Sequence, residues 1–226
     1  EVREGAVEAL RKISKVAVEP LINGLANSGV DADILVHILE QWALEKIGGT
    51  RAVEPLIEAL GGLSAPSKMP AYAAAGLGYI GGTRAVEALI EALEDDSTED
   101  TGFESGLREA AANALGKLGD TKAVEPLTEF LEKNYMYESG SAAAKSLEEL
   151  GWKPENEKQK VVWLITKGDW EPLVELGEAA IGPLIKKCFD SGEAREILAR
   201  MGKPAIYPLI KEMKKMLHCR LAMPMV

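Results

Sequence analysis

Ala114-Leu115-Gly116-Lys117-Leu118-Gly119-Asp120-Thr121-Lys122-Ala123-Val124-Glu125-Pro126-Leu127 is the stretch whose reading decides the fold. Leu115 and Leu118 stand three residues apart, on one face of a helix. Gly119 suits the left-handed residue that closes that helix, and Asp120 or Thr121 suits the cap of the next. Pro126 then falls near a helix start, where its missing N–H is tolerated. The stretch therefore describes a helix end, a tight turn and a second helix.

Its second half recurs. Ala, Val or Ile, a variable residue, usually Pro, then Leu appear at Ala17–Leu21, Ala52–Leu56, Ala85–Leu89, Ala123–Leu127, Ala180–Leu184 and Ala205–Leu209. The Val/Ile positions 18, 53, 86, 124, 181 and 206 are spaced by 35, 33, 38, 57 and 25 residues. The first half recurs as well, as Leu10/Ile13, Leu44/Ile47, Leu77/Ile80, Leu115/Leu118, Leu173/Leu176 and Leu198/Met201. Gly48-Gly49-Thr50, Gly81-Gly82-Thr83 or Gly119-Asp120-Thr121 joins the halves. The unit is helix A, turn, helix B, about 31–38 residues long. One such hairpin cannot bury its apolar side, and stacked neighbours supply the core. Val53, Leu56, Ile57 and Leu60 make one apolar stripe of a helix B. Runs such as Ala73–Ala75, Ala110–Ala112 and Ala142–Ala144 let helices pack closely.

Composition agrees. The 226 residues are 46% hydrophobic, 27% charged and only 5% aromatic, a folded and helix-favouring balance. The net charge of −10, from 26 basic and 36 acidic residues, opposes an electrostatic grip on nucleic acid or an anionic membrane. Two cysteines, Cys188 and Cys219, make no disulfide framework, and a reducing cytoplasm is the expected location. No apolar run reaches the roughly 18–20 residues that span a bilayer. Glu1-Val2-Arg3-Glu4 does not open a signal peptide and begins within a helical pattern, which reads as a processed or truncated start.

Closely matching the Ala114–Leu127 stretch, the chain resembles the HEAT-like repeat family of phycobilisome lyases. The segments around Gly151-Trp152-Lys153-Pro154 and Trp170-Glu171-Pro172-Leu173 are similar to an irregular stretch of bacterial and archaeal members. The resemblance implies an all-α fold, an α-α superhelix (HEAT/armadillo-like α-solenoid) of about six helical hairpins. The expected organisation is a single solenoid over residues 1–226. Regular repeats fill 1–150, an irregular Trp-rich repeat 151–190, a C-terminal repeat 191–217 and a tail 218–226. The resemblance leaves function open among scaffolds, bilin-lyase subunits and modules of larger enzymes.

Several features depart from the repeat. The acidic stretch Asp95–Gly106 exceeds the turn the repeat needs and reads as an exposed loop, with Gly61–Pro66 a milder case. Trp152, Trp163 and Trp170 fall where the period breaks; they fill the gap of an irregular repeat or form a ligand pocket. Trp42 reads as core. The tail from Leu217 to Val226 is poorly polar for a cap and either folds back over the last repeat or sits against a partner or a missing domain. Gly76-Leu77-Gly78-Tyr79-Ile80-Gly81 matches a dinucleotide fingerprint but sits at the end of a helix A, without the strand that reading needs. His37 and His218 are far apart in sequence, and no paired-cysteine or H-E-x-x-H pattern supports a metal site. His37 and Glu40 read as a solvent-side pair.

One pattern points to a surface. The variable phrase position and the residue four later project away from the apolar stripe. They are Glu19/Asn23, Glu54/Glu58, Glu87/Glu91, Glu125/Glu129, Gly182/Lys186 and Tyr207/Lys211. Adjacent packed helices lie roughly 8–10 Å apart, so the carboxylates form a ladder. The resemblance implies that helices B line a concave face. The expectation is a non-enzymatic scaffold, without cofactor or metal, that binds a protein or peptide with basic segments through Glu19, Glu54, Glu58, Glu87, Glu91, Glu125 and Glu129. A bilin-lyase-like, tetrapyrrole-handling protein and a piece of a larger assembly are the alternatives.

Overall fold

The computed structural model describes residues 49–61, 69–95 and 105–221, with side chains over 52–61, 70–95 and 106–214. The first phrase at 17–22, the pairs Leu10/Ile13 and Leu44/Ile47, Glu19, His37, Glu40 and Trp42 lie outside the described residues. So do 62–68, the stretch 96–104 and the tail from 222 onward. The side chains of His218 and Cys219 likewise fall outside.

The described chain is helical, and no strand occurs among the described residues. It divides into two compact units, Glu1–Trp152 and Lys153–Val226. In the first, α1 (Gly49–Leu60), α2 (Met69–Ile80), α3 (Thr83–Glu94) and α4 (Ser105–Leu118) are followed by a 3₁₀ turn, Thr121–Ala123. Helices α5 (Val124–Asn134) and α6 (Glu138–Glu149) complete it. Helices α2, α4 and α6 are the A row and α1, α3 and α5 the B row. Each A helix packs on its A neighbour, and A-row neighbours lie closer along their lengths than B-row neighbours do.

The repeated phrase accounts for this core. Ala52, Leu56, Ala85, Leu89, Ala123 and Leu127 are all fully buried, each at the same two phrase positions. Leu77, Leu115 and Leu147 supply the facing A-row positions and are equally buried. Each such leucine contributes about 1.5–3 kcal/mol of burial. The B-helix stripe is Val53, Leu56 and Leu60, with Ile57 only half-buried.

Small residues set the A-row spacing. A Cβ placed on Gly78 would lie 2.7 Å from the Ala114 Cβ, so α2 and α4 touch through backbone and a single methyl. One repeat on, the buried Ser146 hydroxyl of α6 donates to the Ala112 carbonyl of α4 at 2.8 Å. Gly76 and Gly78 are ordinary helical residues of this seam, as the repeat reading of the G-x-G-x-x-G match requires.

The turns hold one expected and two unexpected details. Gly119 closes α4 in the left-handed region at φ 69°, and the Asp120 carboxylate accepts from the Lys122 N–H at 2.9 Å. Thr83, by contrast, does not cap α3: Gly82 occupies the cap position with no side-chain bond, and Thr83 is already helical. Pro55 also lies within its helix rather than near its start, because the helix already begins at Gly49, three residues ahead of the phrase.

The second unit contains α7 (Glu157–Lys167), the short α8 (Pro172–Glu175), α9 (Glu178–Lys187), α10 (Gly192–Met201) and α11 (Lys203–Leu221). Asn156 caps α7 by accepting from the Gln159 N–H, and Ser191 caps α10 through Ala194. Leu173, Ile181, Leu184, Ile197 and Leu198 form its core with Val161, Val162 and Ile165 of α7. Pro183 and Pro208 are again internal to α9 and α11. Glu171 and Arg200 form a bidentate pair at 2.6 and 2.9 Å between the start of α8 and the end of α10. No described helix is long and apolar enough to cross a membrane.

Candidate functional site: the B-row face

The phrase places Glu54, Glu58, Glu87, Glu91, Glu125 and Glu129 on three consecutive B helices of the first unit. All six are exposed, while the alanine and the leucine of each phrase are buried. Pro55, Ile57, Ile90 and Pro126 are half-buried beside them. Glu19, the remaining expected member, lies outside the described residues. The two later rungs are in the second unit, where Gly182, Lys186, Tyr207 and Lys211 are also exposed.

The ladder carries a cation that the sequence reading did not include. Arg84 Nε donates to Glu54 Oε1 at 3.1 Å, linking α3 back to α1. The guanidinium is held even more firmly protonated than usual, first by that hydrogen bond and charge, then by the fields of Glu87 and Glu91. A signal existed: Arg51, Arg84 and Lys122 recur three residues before Glu54, Glu87 and Glu125. Both partners are well exposed, so the pair organises the face more than it stabilises the fold.

An open cavity of about 580 Å³ lies where the ends of α1 and α3 meet the start of α4. Its apolar surface comes from Ile57, Leu60, Ala88, Ala92 and Leu107. Glu91, Glu94 and Asp95 line it as well, and all three are exposed. Buried Arg108 fixes this edge by donating from Nη2 to the Asp95 carbonyl at 2.6 Å. A guanidinium at the C-terminal end of α3 also suits the negative pole of that helix. Neither the cavity nor Arg108 was expected from the sequence, because both depend on where helix ends converge.

A second groove, of about 470 Å³, lies on the A row among Ala75, Ala110, Asn113 and Ala114. Its charged borders, Glu109, Lys117, Lys145 and Glu149, are balanced in sign. Nearby, Lys117 Nζ sits 4.7 Å from the centre of the Tyr79 ring. The tryptophans Trp152, Trp163 and Trp170 are each half-buried, and neither cavity described here is lined by one. Lys167 Nζ lies 5.8 Å from the Trp163 ring centre. No cluster of three or more metal-ligating side chains occurs among the described residues.

Comparison with known families matches the same segment. A family model of HEAT repeats covers residues 53–148, and the PBS lyase HEAT-like repeat matches residues 42–62. No curated protein matches the sequence. The hairpin phrase, the two stacked rows and these matches lead to one statement: the chain is a HEAT-like repeat protein, an all-α solenoid by fold class.

Proposed function

We propose that this protein is a non-enzymatic scaffold whose B-row face binds a basic segment of a protein or peptide, anchored by an apolar side chain. The observation that carries the reading is the cavity beside Ile57, Ala88 and Leu107 with Glu91, Glu94 and Asp95 around it, on the same face as the exposed ladder. The apolar surface supplies a place to desolvate an anchor, where most binding energy resides. The carboxylates steer a cationic segment and select against an acidic one. Each carboxylate stands on an already formed helix before binding, which limits the ordering cost on this side of the complex.

The test is fluorescence anisotropy with labelled synthetic peptides of Lys and Tyr, against Glu and Tyr peptides of the same length. The basic peptide binds at low salt, loses affinity as salt rises, and is lost by a Glu87→Gln/Glu91→Gln variant. Ala92→Phe, which fills the cavity while leaving every charge, weakens binding in parallel. Equal binding of both peptides, or binding indifferent to both variants, overturns the proposal.

A further inference from the structure

Helix α11 repeats the B-helix phrase without repeating its burial. At the second and ninth positions counted from the phrase alanine, α3 has Val86 and Leu93, which are 3% and 1% exposed. The same positions of α11 are Ile206 and Met213, at 53% and 58%. Ile210 is 46% exposed, and Tyr207, at 77%, occupies the position of the ladder carboxylates. Lys203, Tyr207 and Lys211 succeed one another four residues apart, so an exposed ring stands in a row between two exposed lysines. An apolar patch of this kind marks an interaction surface rather than ordinary solvent-facing helix.

Charge identifies its partner. Residues 153–226 carry 13 basic and 10 acidic residues, a net +3, whereas residues 1–152 carry 13 basic and 26 acidic, a net −13. Within α11 the basic residues are Lys203, Lys211, Lys214, Lys215 and Arg220, against Glu212 alone. The surface that complements α11 must be apolar at its centre and acidic at its edge. The cavity at Ile57 and Leu107, with Glu91 and Glu94 at its border, has that chemistry and belongs to this same chain.

We infer that the partner of α11 is a second copy of this protein, with Tyr207 and Ile206 of one copy seated on the acidic B-row face of another. The inference rests on the reading of that face given above and names its occupant. The two surfaces differ, so the contact is heterologous and propagates as a row or closes as a ring. An anionic membrane is the other surface a basic apolar helix fits, but a chain of net charge −10 is repelled by it as a whole.

Sedimentation velocity of the full chain tests this. At low salt the average sedimentation coefficient rises with protein concentration, and added salt reverses the rise. A Lys203→Glu/Lys211→Glu variant and a Glu87→Lys/Glu91→Lys variant each self-associate at least about tenfold more weakly, since like charges then face each other. Mixing the two variants restores association, because each mutated surface meets its complement on the other protein; this also shows that both variants fold. A monomer at every concentration overturns the inference, as does association insensitive to the swaps or unrestored on mixing. Binding to phosphatidylserine vesicles through Lys203 and Lys211 without self-association overturns it in favour of a membrane. A monomer that still binds the Lys/Tyr peptide through Glu87 and Glu91 removes the second copy and leaves the face; loss of both removes both.

Discussion

Gly78→Ala is a substitution for which helix propensity and packing predict opposite signs. In an isolated helix it would stabilise by about 0.8–1.0 kcal/mol. Here the new methyl would lie 2.7 Å from the Ala114 Cβ and 3.0 Å from its Cα. Relaxed carbon contacts need about 3.5–4.0 Å, so α2 and α4 must part by roughly 1 Å. The obstacle includes backbone and cannot rotate away. Overpacking of this kind costs about 1–3 kcal/mol, and the middle of that range exceeds the propensity gain. We expect a net destabilisation of about 1 kcal/mol, read from urea unfolding of the full chain by circular dichroism. Ala114→Gly alone loses a similar propensity term and a buried methyl, for about 1.5–2 kcal/mol. The double variant moves the methyl across the interface and returns to within about 1 kcal/mol of the parent, a coupling well outside additivity. A stabilised Gly78→Ala protein, or an additive double variant, would refute the close-packed A row.

Arg108→Met removes the donor to the Asp95 carbonyl and lowers stability by about 1–3 kcal/mol, checked in the same unfolding assay. It also weakens peptide binding at the cavity if that edge holds the site open. Burial pushes the Tyr135 hydroxyl up to about 12. The unfolded chain then releases that proton near pH 10 while the folded chain keeps it, so stability falls as pH rises between about 10 and 12. Tyr135→Phe flattens that fall, and ultraviolet titration shows one tyrosinate fewer. The hydrogen bond from Arg200, and then its charge, hold the Glu171 carboxyl below its usual range. Its contribution is present above the unfolded value and fades as pH drops through the folded one. Arg200→Ala moves the Glu171 titration upward, measured by NMR, with a small salt-screened effect on stability because both groups are exposed.

The hairpin was legible because its punctuation is chemical. Gly81 and Gly119 occupy left-handed backbone at φ 73° and 69°, which few residues other than glycine accept. The cap was less legible: Asp120 and Thr83 stand one residue apart in register, and only Asp120 lies outside the helix where a side chain can cap. Exposure of the six described ladder glutamates followed from the 3.6-residue period alone. The Arg84–Glu54 link did not, since it joins residues 30 apart and needs the spacing of α1 and α3. Helix α7 carries none of the repeated phrase, so nothing in the repeat announced it. The exposure of Ile206 and Met213 was equally hidden, because sequence similarity to Val86 and Leu93 says what a position favours, not whether a neighbour covers it.

The seam of glycine, alanine and serine between α2, α4 and α6 has a mechanical consequence. Contacts made through backbone and single methyls have almost no rotamers to adjust, whereas leucine and isoleucine side chains can yield by changing theirs. Within the first unit the A row therefore acts as the inextensible spine of a fan and the B row as its open edge. Flexing leaves the spine length unchanged and alters the distance from one pair of glutamates to the next. In the binding mode proposed above, opening or closing that edge would let the carboxylate pairs match cationic segments of differing charge spacing, with the helices themselves unchanged.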